Sequence, residues 1–283
     1  EGARELAEAR FSSNPLLKGD QSQEEVDNYY RYGSSEVEPD TVLWGDSHAA
    51  ALAYPLHELA LSKNRSFLAY GRNSTPPIKG IICGTGLKPV SRAEYNQEVF
   101  DTIVSDKRIR TVILAARWAY YTEGNASAYG TAEKVSKLKD TLIRLPGDPP
   151  PGSDEVHAAF AAALEETVDG LLNAGKTVYL VYPVPEPAYL IPQMLANEVI
   201  QGRDPGKFTI SARGVYYERT APIVSIMDAL SVRDGIVRIR PEKRLIESGN
   251  IKLLHQGKPI YCDDDHLSIE GGRYIMPLFE GIF

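Results

Sequence analysis

The sequence lacks the features that mark membrane-spanning and secreted precursor proteins. No run of about 18 apolar residues occurs, so no segment is predicted to span a membrane. The first twenty residues are polar and contain no apolar core of the kind that a signal peptide requires. Because the chain also begins without methionine, we expect a processed protein or an excised domain.

Basic residues and cysteines are also scarce. The chain has 31 Lys and Arg against 38 Asp and Glu, a net charge of −7, which argues against nucleic acid as a partner. Only two cysteines, Cys83 and Cys262, occur in 283 residues. They are compatible with one disulfide in an oxidising space or with two separate buried thiols.

Short apolar runs alternate with helical patterns along an otherwise ordinary globular composition, in which 43% of residues are hydrophobic and 24% are charged. This alternation predicts an α/β fold with a parallel sheet and helices on both faces. The predicted strands are Thr41–Gly45, Ser66–Tyr70, Thr111–Ala116, Lys176–Tyr182 and Gly235–Ile239. The predicted helices are His48–Ser62, Arg92–Lys107, Asp154–Ala174, 189–201, Ser211–Val232 and Ser268–Phe279.

Two stretches interrupt this pattern. Residues 1–40 are predicted to be an extended lead-in that packs on the body, which comprises residues 41–283. Residues 119–153, with their Gly and Pro clusters, are predicted to be an irregular insertion over one face. In a parallel sheet a ligand binds beyond the carboxyl ends of the strands, so the segments that follow the strands are candidates for the site.

The first such segment is Gly45-Asp46-Ser47-His48, between an apolar strand and a helix. A serine there lies at a helix N-terminus, where its unpaired N–H and the helix dipole favour developing negative charge. The simpler alternative is that Asp46 or Ser47 only caps the helix.

The second segment is Asp263-Asp264-Asp265-His266-Leu267-Ser268, before the last predicted helix. A carboxylate three residues before a histidine can fold back and hold the ring nitrogen that faces away from a nucleophile. The alternative is a solvated acidic loop in which Ser268 caps the helix.

Together the two segments resemble the SGNH (GDSL-like) hydrolase superfamily over roughly residues 41–283. The resemblance implies a three-layer, flavodoxin-like sandwich with a central parallel sheet of about five strands. It also implies Ser47 as nucleophile, His266 as general base and Asp263 as the carboxylate, with Asp264 a less favoured substitute for Asp263.

Four further matches narrow the resemblance to the SGNH domains fused to membrane acyltransferase-3 proteins: LWGDSHA, the pair Pro76-Pro77, ILAARW at 113–118 and YCDDDHLS at 261–268. That family implies transfer of acetyl through acetyl-Ser47 to a surface polysaccharide such as lipopolysaccharide O-antigen. It further implies an N-terminal transmembrane acyltransferase domain as partner and a periplasmic location in an inner-membrane protein. No cofactor is expected to be bound, and the acetyl donor is ultimately acetyl-CoA, supplied through the membrane domain.

The oxyanion hole departs from the general superfamily pattern, because Arg117 stands where the third block has Asn. Arg117 could stabilise an oxyanion, hold a sugar, pair with Asp46 or form a structural salt bridge. In the second block, Gly71, Asn73 and Ser74 are candidate donors, and Ser74 is favoured because it directly precedes Thr75-Pro76-Pro77.

Two other expectations concern the rim of the site. Three aromatic residues, Trp118, Tyr120 and Tyr121, follow the third strand and could stack on a sugar ring, although packing beneath the insertion is an alternative. Under the extracytoplasmic location that the resemblance implies, Cys83 and Cys262 are expected to form a disulfide that tethers the loop around Asp263.

Other functions fit parts of the pattern. Attack by water instead of a sugar would make the protein a carbohydrate acetylesterase, and the same three residues serve both reactions. A non-catalytic glycan-binding module is a further alternative. GDSH also matches the opening of metal-dependent phosphoesterases, but their later motifs are missing and five histidines supply a two-metal site poorly, so no metal is expected.

Overall fold

A computed structural model of the protein describes residues 2–8, 25–26, 29–80, 82, 89–124, 145–146 and 149–283. Within these residues the strands form a seven-stranded sheet, a three-stranded sheet and a two-stranded sheet. In chain order the strands β1 to β12 are Glu25–Val26, Tyr29–Gly33, Thr41–Gly45, Ser66–Gly71, Thr111–Ala115, Thr177–Val181, Ile210–Ser211, Ile236–Ile239, Ile246–Glu247, Asn250–Ile251, Leu254–His255 and Lys258–Pro259.

The large sheet has the order β1-β2-β4-β3-β5-β6-β8. Five of its strands are parallel, in the flavodoxin-like order β4-β3-β5-β6-β8. They are the five strands that the sequence predicts. The predicted α/β fold is therefore confirmed. Strand β2 pairs antiparallel with β4, and β1 with β2, so two strands from the lead-in extend the sheet.

Helices cover both faces of the large sheet. In chain order the helices α1 to α9 are Gly2–Glu8, Ser47–Ser62, Pro89–Ser105, Trp118–Glu123, Asp154–Asn173, Ile191–Ile200, Arg219–Leu230, Glu242–Leu245 and Ile269–Ile275. One buried cluster joins α2, α6 and α9 to one face, and a second joins α3, α5 and α7 to the other. Strand β3 contributes side chains to both clusters, because Val42 and Trp44 belong to the second cluster and Leu43 belongs to the first.

The main differences from the predicted secondary structure lie at three places. The predicted helix Ser211–Val232 begins instead as a π-helical turn, Arg213–Glu218, that continues into α7. The first part of the predicted irregular stretch 119–153 is helical, as α4, and residues 125–144 and 147–148 lie outside the described residues. In the lead-in, α1 is helical and contacts α6.

The strand order reverses at β3, whose neighbours β4 and β5 both follow it in the chain. The crevice outside the carboxyl ends is the usual ligand site at such a point. Gly45, the last residue of β3, has no substitute there, because a Cβ would lie 1.8 Å from the carbonyl oxygen of Ala115. The backbone of β3 therefore reaches the crevice close against β5, and α2 begins immediately after it.

Candidate active site

Ser47 is the first residue of α2 and is half-buried at the mouth of the crevice. Its N–H belongs to the first helical turn, where no carbonyl four residues earlier can accept it within the helix. The cap is Asp46, whose carboxylate accepts a hydrogen bond of 2.8 Å from the backbone N–H of His48. The capping role therefore falls to Asp46, and the Ser47 side chain takes a different partner.

Asp46 is 2% exposed, and the other oxygen of its carboxylate is also bonded. This Oδ2 accepts from the hydroxyl of Tyr121 at 2.6 Å and from the backbone N–H of Arg117 at 3.0 Å. The start of α2 is thereby joined to the segment that follows β5. Arg117 therefore contacts Asp46, as one of the predicted alternatives had it, but through its backbone N–H and not through its guanidinium.

The structure brings Ser47, His266 and Asp263 together in a single chain of hydrogen bonds. Nε2 of His266 lies 2.8 Å from Oγ of Ser47, and Nδ1 of His266 lies 2.8 Å from Oδ2 of Asp263. Oδ1 of Asp263 also accepts from the backbone N–H groups of Asp265 and His266, at 2.9 Å and 2.6 Å. One carboxylate thus orients both the histidine ring and the turn that carries it.

The turn is closed by backbone contacts on each side of it. Cys262 donates its N–H to the carbonyl of His266 at 3.0 Å, and Tyr261 and Leu267 form an isolated antiparallel bridge. Ser268 caps α9 by accepting from the N–H of Gly271, and its hydroxyl donates to a carbonyl nine residues earlier. His266 is therefore held by its flanking backbone as well as by Asp263.

A second carboxylate, Asp265, also contacts His266. Its Oδ1 lies 3.1 Å from Nδ1 of His266, compared with 2.8 Å for Asp263. The Asp265 side chain is 5% exposed and the Asp263 side chain 36%. His266 is thus flanked by an outer carboxylate, Asp263, and an inner carboxylate, Asp265, and no motif in the sequence singles out the inner one.

The inner carboxylate belongs to a buried ionic network. Oδ2 of Asp265 lies 2.9 Å from Nη1 of Arg117 and 3.2 Å from Nε2 of His48. The guanidinium also donates to the carboxylate of Glu186, at 2.8 and 3.0 Å. Four roles were predicted for Arg117, and the side-chain contacts in the structure are those of the structural salt bridge. Glu186, in the segment after β6, had no signal in the sequence.

These contacts set the protonation of the site. Burial lowers the pKa of His266, but the hydrogen bonds and charges of Asp263 and Asp265 outweigh it and raise that pKa to about 10. Burial raises the pKa of Asp265, but His266, His48 and Arg117 hold it far below its ordinary value. Burial likewise opposes ionisation of Glu186, yet Arg117 and Arg219 keep the pKa of Glu186 below normal. These shifts favour the ionised forms of Asp265 and Glu186 and the cationic form of His266.

The same groups come close enough to be considered as metal ligands. Among the described residues, His48, Asp265 and His266 place ligand atoms within 4.8 Å of one another, as do Asp263, Asp264 and Asp265. At Asp265, however, the positive charge is already supplied by Arg117 at 2.9 Å. The donor set therefore fits a hydrogen-bonded ion network better than a divalent cation.

The second-block candidates lie in the turn after β4, where Thr75 donates its N–H to the carbonyl of Arg72. Asn73 lines the crevice together with Ser47 and His266. Ser74 does not line it, and its backbone has a φ of 53° at the bend of the turn. The structure therefore places Asn73, and not the favoured Ser74, beside the site.

The prediction that Trp118 stacks on a sugar ring is wrong. Its side chain is completely buried, its Nε1 donates to the carbonyl of Val181 at 2.8 Å, and its ring packs edge-on against Phe160. A ring enclosed in this way offers no face to a sugar. Tyr121 is buried as well, and its hydroxyl is used by Asp46.

The disulfide remains a prediction. Cys262 is buried and has no disulfide partner among the described residues. Its Sγ lies 3.6 Å from the carbonyl oxygen of His266, and burial raises the pKa of the thiol to about 12. Cys83 lies outside the described residues.

Comparison with known proteins agrees with the fold. The family model described as "SGNH domain (fused to AT3 domains)" matches residues 16–281. No curated protein matches significantly. The fold is similar to that of the lipopolysaccharide acetyltransferase periplasmic domain of Salmonella ser. Paratyphi A, with a TM-score of 0.61, 18% identity, and coverage of 87% of this chain and 84% of that one. It is also similar to a GDSL-like lipase from Bacteroides thetaiotaomicron, with a TM-score of 0.46, 8% identity and 98% coverage of both chains.

Within the described part of the chain, no helix combines the length and apolarity that crossing a membrane requires. The family description nevertheless couples such domains to AT3 domains, which supports a transmembrane acyltransferase as partner within a membrane protein. The chain is a serine-dependent acyltransferase or esterase, and it belongs to the family of SGNH domains that are fused to AT3 domains.

Proposed function

We propose that this chain transfers an acetyl group through Ser47 to a sugar hydroxyl of a surface polysaccharide such as lipopolysaccharide O-antigen. The observation that carries the proposal is the unbroken hydrogen-bonded chain from Ser47 Oγ through His266 to Asp263, with both bonds at 2.8 Å. The similarity in fold to a lipopolysaccharide acetyltransferase domain supports this choice of acceptor.

In the first half-reaction, neutral His266 takes the proton of Ser47 through Nε2 while Oγ attacks the acetyl carbonyl carbon. The carbonyl electron pair moves to oxygen, and the helix N-terminus at Ser47, with donors from the Asn73 turn, stabilises the oxyanion. The oxyanion then collapses, the bond to the donor breaks, and His266 returns the proton to the leaving group. Acetyl-Ser47 remains.

In the second half-reaction, the acceptor hydroxyl loses its proton to His266 and attacks acetyl-Ser47. The tetrahedral intermediate collapses, and Ser47 regains its proton from His266. Asp263 and Asp265 stabilise the imidazolium that exists in each intermediate.

The donor and the location belong to the same proposal. The acetyl group is supplied ultimately from acetyl-CoA by the fused transmembrane acyltransferase domain, and no cofactor stays bound to this chain. The chain then operates on the periplasmic side of an inner membrane. The family description and the fold similarity to a periplasmic domain support these assignments.

The experiment is to incubate the chain with an acetyl ester and purified O-antigen oligosaccharides and to measure sugar acetylation by mass spectrometry. We expect acetylated sugar with the wild type and with the control Ser62→Ala at the far end of α2, and none with Ser47→Ala or His266→Ala. Release of acetate alone, however much acceptor is present, would identify an esterase. A folded wild type without any turnover, but with measurable oligosaccharide binding, would identify a glycan-binding module and overturn the proposal.

A further inference from the structure

The crevice beside Ser47 is bounded on one side by the turn that follows β4. Arg72 and Asn73 of this turn line the crevice together with Ser47. Arg72 donates its N–H to the carbonyl of Gly45 at 3.2 Å, and Gly45 lies two residues before Ser47. Because neighbouring strands lie about 4.8 Å apart, Arg72 stands roughly one strand spacing from the end of β3. A group held at this turn is therefore within reach of a substrate at Ser47.

Helix α3 places a second arginine at the same turn. Its buried face includes Asn96 and Ile103, and Arg92 lies four residues before Asn96 on that face. The Asn96 amide donates to the carbonyls of Pro76 and Ile78, both at 2.8 Å, which fixes the helix against the turn. Long side chains on a helix point back toward its N-terminus. The Arg92 side chain therefore extends beyond Asn96 at the crevice end of α3.

Two donors on this part of α3 are buried without a hydrogen-bond partner. They are Nη1 of Arg92 and the hydroxyl of Tyr95, and no group within the described part of the chain bonds to either atom. A buried donor that lacks a partner destabilises the folded state, and the cost is greater when the donor is charged. One anion with two oxygen atoms would satisfy both donors.

Both donors lie beside loops that border the candidate site. The guanidinium carbon of Arg72 lies 5.4 Å from the ring centroid of Tyr95. Burial raises the pKa of Tyr120, and the positive charges of Arg117 and Arg92 oppose that rise. Arg92 is therefore within electrostatic range of the segment that follows β5, and Tyr95 lies under the turn that follows β4. The two donors stand between these loops.

The acidic groups near this place are already matched. Asp46 and Asp265 also act on the Tyr120 hydroxyl, but Asp46 accepts three hydrogen bonds and Asp265 is paired with Arg117. Arg92 has no ion-pair partner among the residues that the structure describes. Since the whole chain carries a net charge of −7, it has no general attraction for polyanions, and an anion must be recognised by local contacts.

We propose that Arg92 and Tyr95, together with Arg72, bind the carboxylate of an acidic sugar, so that the acceptor is a polysaccharide containing uronic acid. The proposal rests on the proposed function, because it names the class of sugar that acetyl-Ser47 meets. A planar carboxylate matches the fork of the Arg92 guanidinium, and its second oxygen can also accept from the Tyr95 hydroxyl. Arg72 supplies a further positive charge at the rim.

The test is calorimetric binding of trisaccharides of glucuronate, galacturonate and mannuronate, each compared with its carboxyl-reduced neutral counterpart. We expect at least one uronate to bind about tenfold or more tightly than its counterpart, as for hydrogen bonds to a charged group. In Arg92→Gln that ratio should fall below about twofold. Arg72→Gln, at an exposed residue whose replacement leaves the core intact, should lower the ratio about threefold.

The matched control is Arg110→Gln, which removes an exposed arginine directly before β5, at the opposite end of the strands. It should keep the wild-type ratio. The proposal is overturned if no uronate binds better than its neutral counterpart, or if folded Arg92→Gln and Arg72→Gln both retain the ratio. An equal loss in Arg110→Gln and Arg92→Gln would also overturn it, since net charge alone would then account for binding.

Binding without an acetyl donor separates this proposal from the proposed function. Acetyl transfer to the neutral trisaccharides as efficient as transfer to the uronates would overturn the carboxylate subsite and leave the proposed function standing. Conversely, uronate binding that depends on Arg92, in a chain that only releases acetate, would support the subsite and refute the transferase.

Discussion

The side chains on the two sides of Ser47 differ in character, because they are charged on one side and apolar on the other. Toward β5 and β6 lie buried charges, with Asp265 between Arg117, His48 and His266. Toward β4 and β2 lie alanine methyl groups and tyrosine rings. Buried charges fix a proton-transfer group in one orientation, because any displacement leaves a charge unpaired. Small apolar side chains instead leave room for a substrate. In the proposed function, proton transfer and substrate accommodation are therefore separated across one helix N-terminus.

The largest expected effect comes from the outer carboxylate of the charged side. In Asp263→Asn, an amide could present a donor to Nδ1 of His266, which disfavours the tautomer that accepts the Ser47 proton. We expect kcat to fall about ten-thousandfold on a nitrophenyl ester, with the fold intact by circular dichroism. The neighbouring change Asp264→Asn is the control, and a loss of less than tenfold is expected there. Comparable losses in both variants would contradict the role assigned to Asp263.

The next effect concerns stability rather than turnover. Arg117→Met leaves Glu186 and Asp265 buried without their shared cation, and we expect the free energy of unfolding in urea to fall by about 3–5 kcal/mol. Arg203→Met breaks an exposed pair with Glu198 and is expected to leave the free energy of unfolding nearly unchanged. A difference of less than about 1 kcal/mol between the two variants would show that the network is not a stabilising unit.

A smaller effect is expected at the inner carboxylate. Asp265→Asn leaves Asp263 on Nδ1 but loosens the ring, so we expect kcat/KM to fall about a hundredfold at high pH. Removing this negative charge lowers the pKa of His266 from about 10. Since the neutral histidine is the base, the rising limb of the wild-type pH profile should have its midpoint near that value.

The pH profile separates positioning from simple structural damage. In Asp265→Asn the midpoint of kcat/KM should move toward the ordinary histidine value of about 6.5. Asp265→Glu retains the charge and should keep an alkaline midpoint. A wild-type midpoint near 6.5, or an unchanged midpoint in Asp265→Asn, would refute the electrostatic coupling of Asp265 to His266.

The smallest expected effect lies at the junction between the two sides. Tyr121→Phe removes the 2.6 Å hydrogen bond to Asp46 but leaves the two backbone N–H donors. We expect a loss of about 1.5–3 kcal/mol in the free energy of unfolding. Tyr120→Phe, one residue earlier, keeps the ring against the Arg117 guanidinium and should change stability by less than about 0.5 kcal/mol. Equal effects would mean that the Asp46 contact contributes nothing.

Much of the sheet could be predicted, because each parallel strand is a short apolar run and needs no information from its neighbours. Strand β2 could not, since YYRYG has no apolar alternation and becomes a strand only by pairing with the edge of β4. The two-residue strands of the small sheets are equally invisible to periodicity.

The residues of the site that stand in local motifs could be predicted, and those whose partners are distant in the chain could not. Ser47 and the pair Asp263 and His266 stand in local motifs at strand and helix ends, and the structure brings them within hydrogen-bond distance, although their catalytic roles remain a prediction. Within DDDH, however, the sequence does not show which aspartates face the ring. The partner of Arg117 is 69 residues away, at Glu186, and no local pattern links the two. The burial of Trp118 likewise depends on α5 packing over it.

The sequence by itself determined the order of the five parallel strands and of the helices between them, the helix start at Ser47 and the turn that carries His266. Periodicity, capping and turn chemistry act over a few residues, so these features are legible in the chain. Tertiary structure alone decided that Asp265 contacts His266, that Arg117 is a structural cation and that alanines of α2 line a cleft. Those features arise where segments distant in the chain exclude water together, and burial of that kind has no local signature.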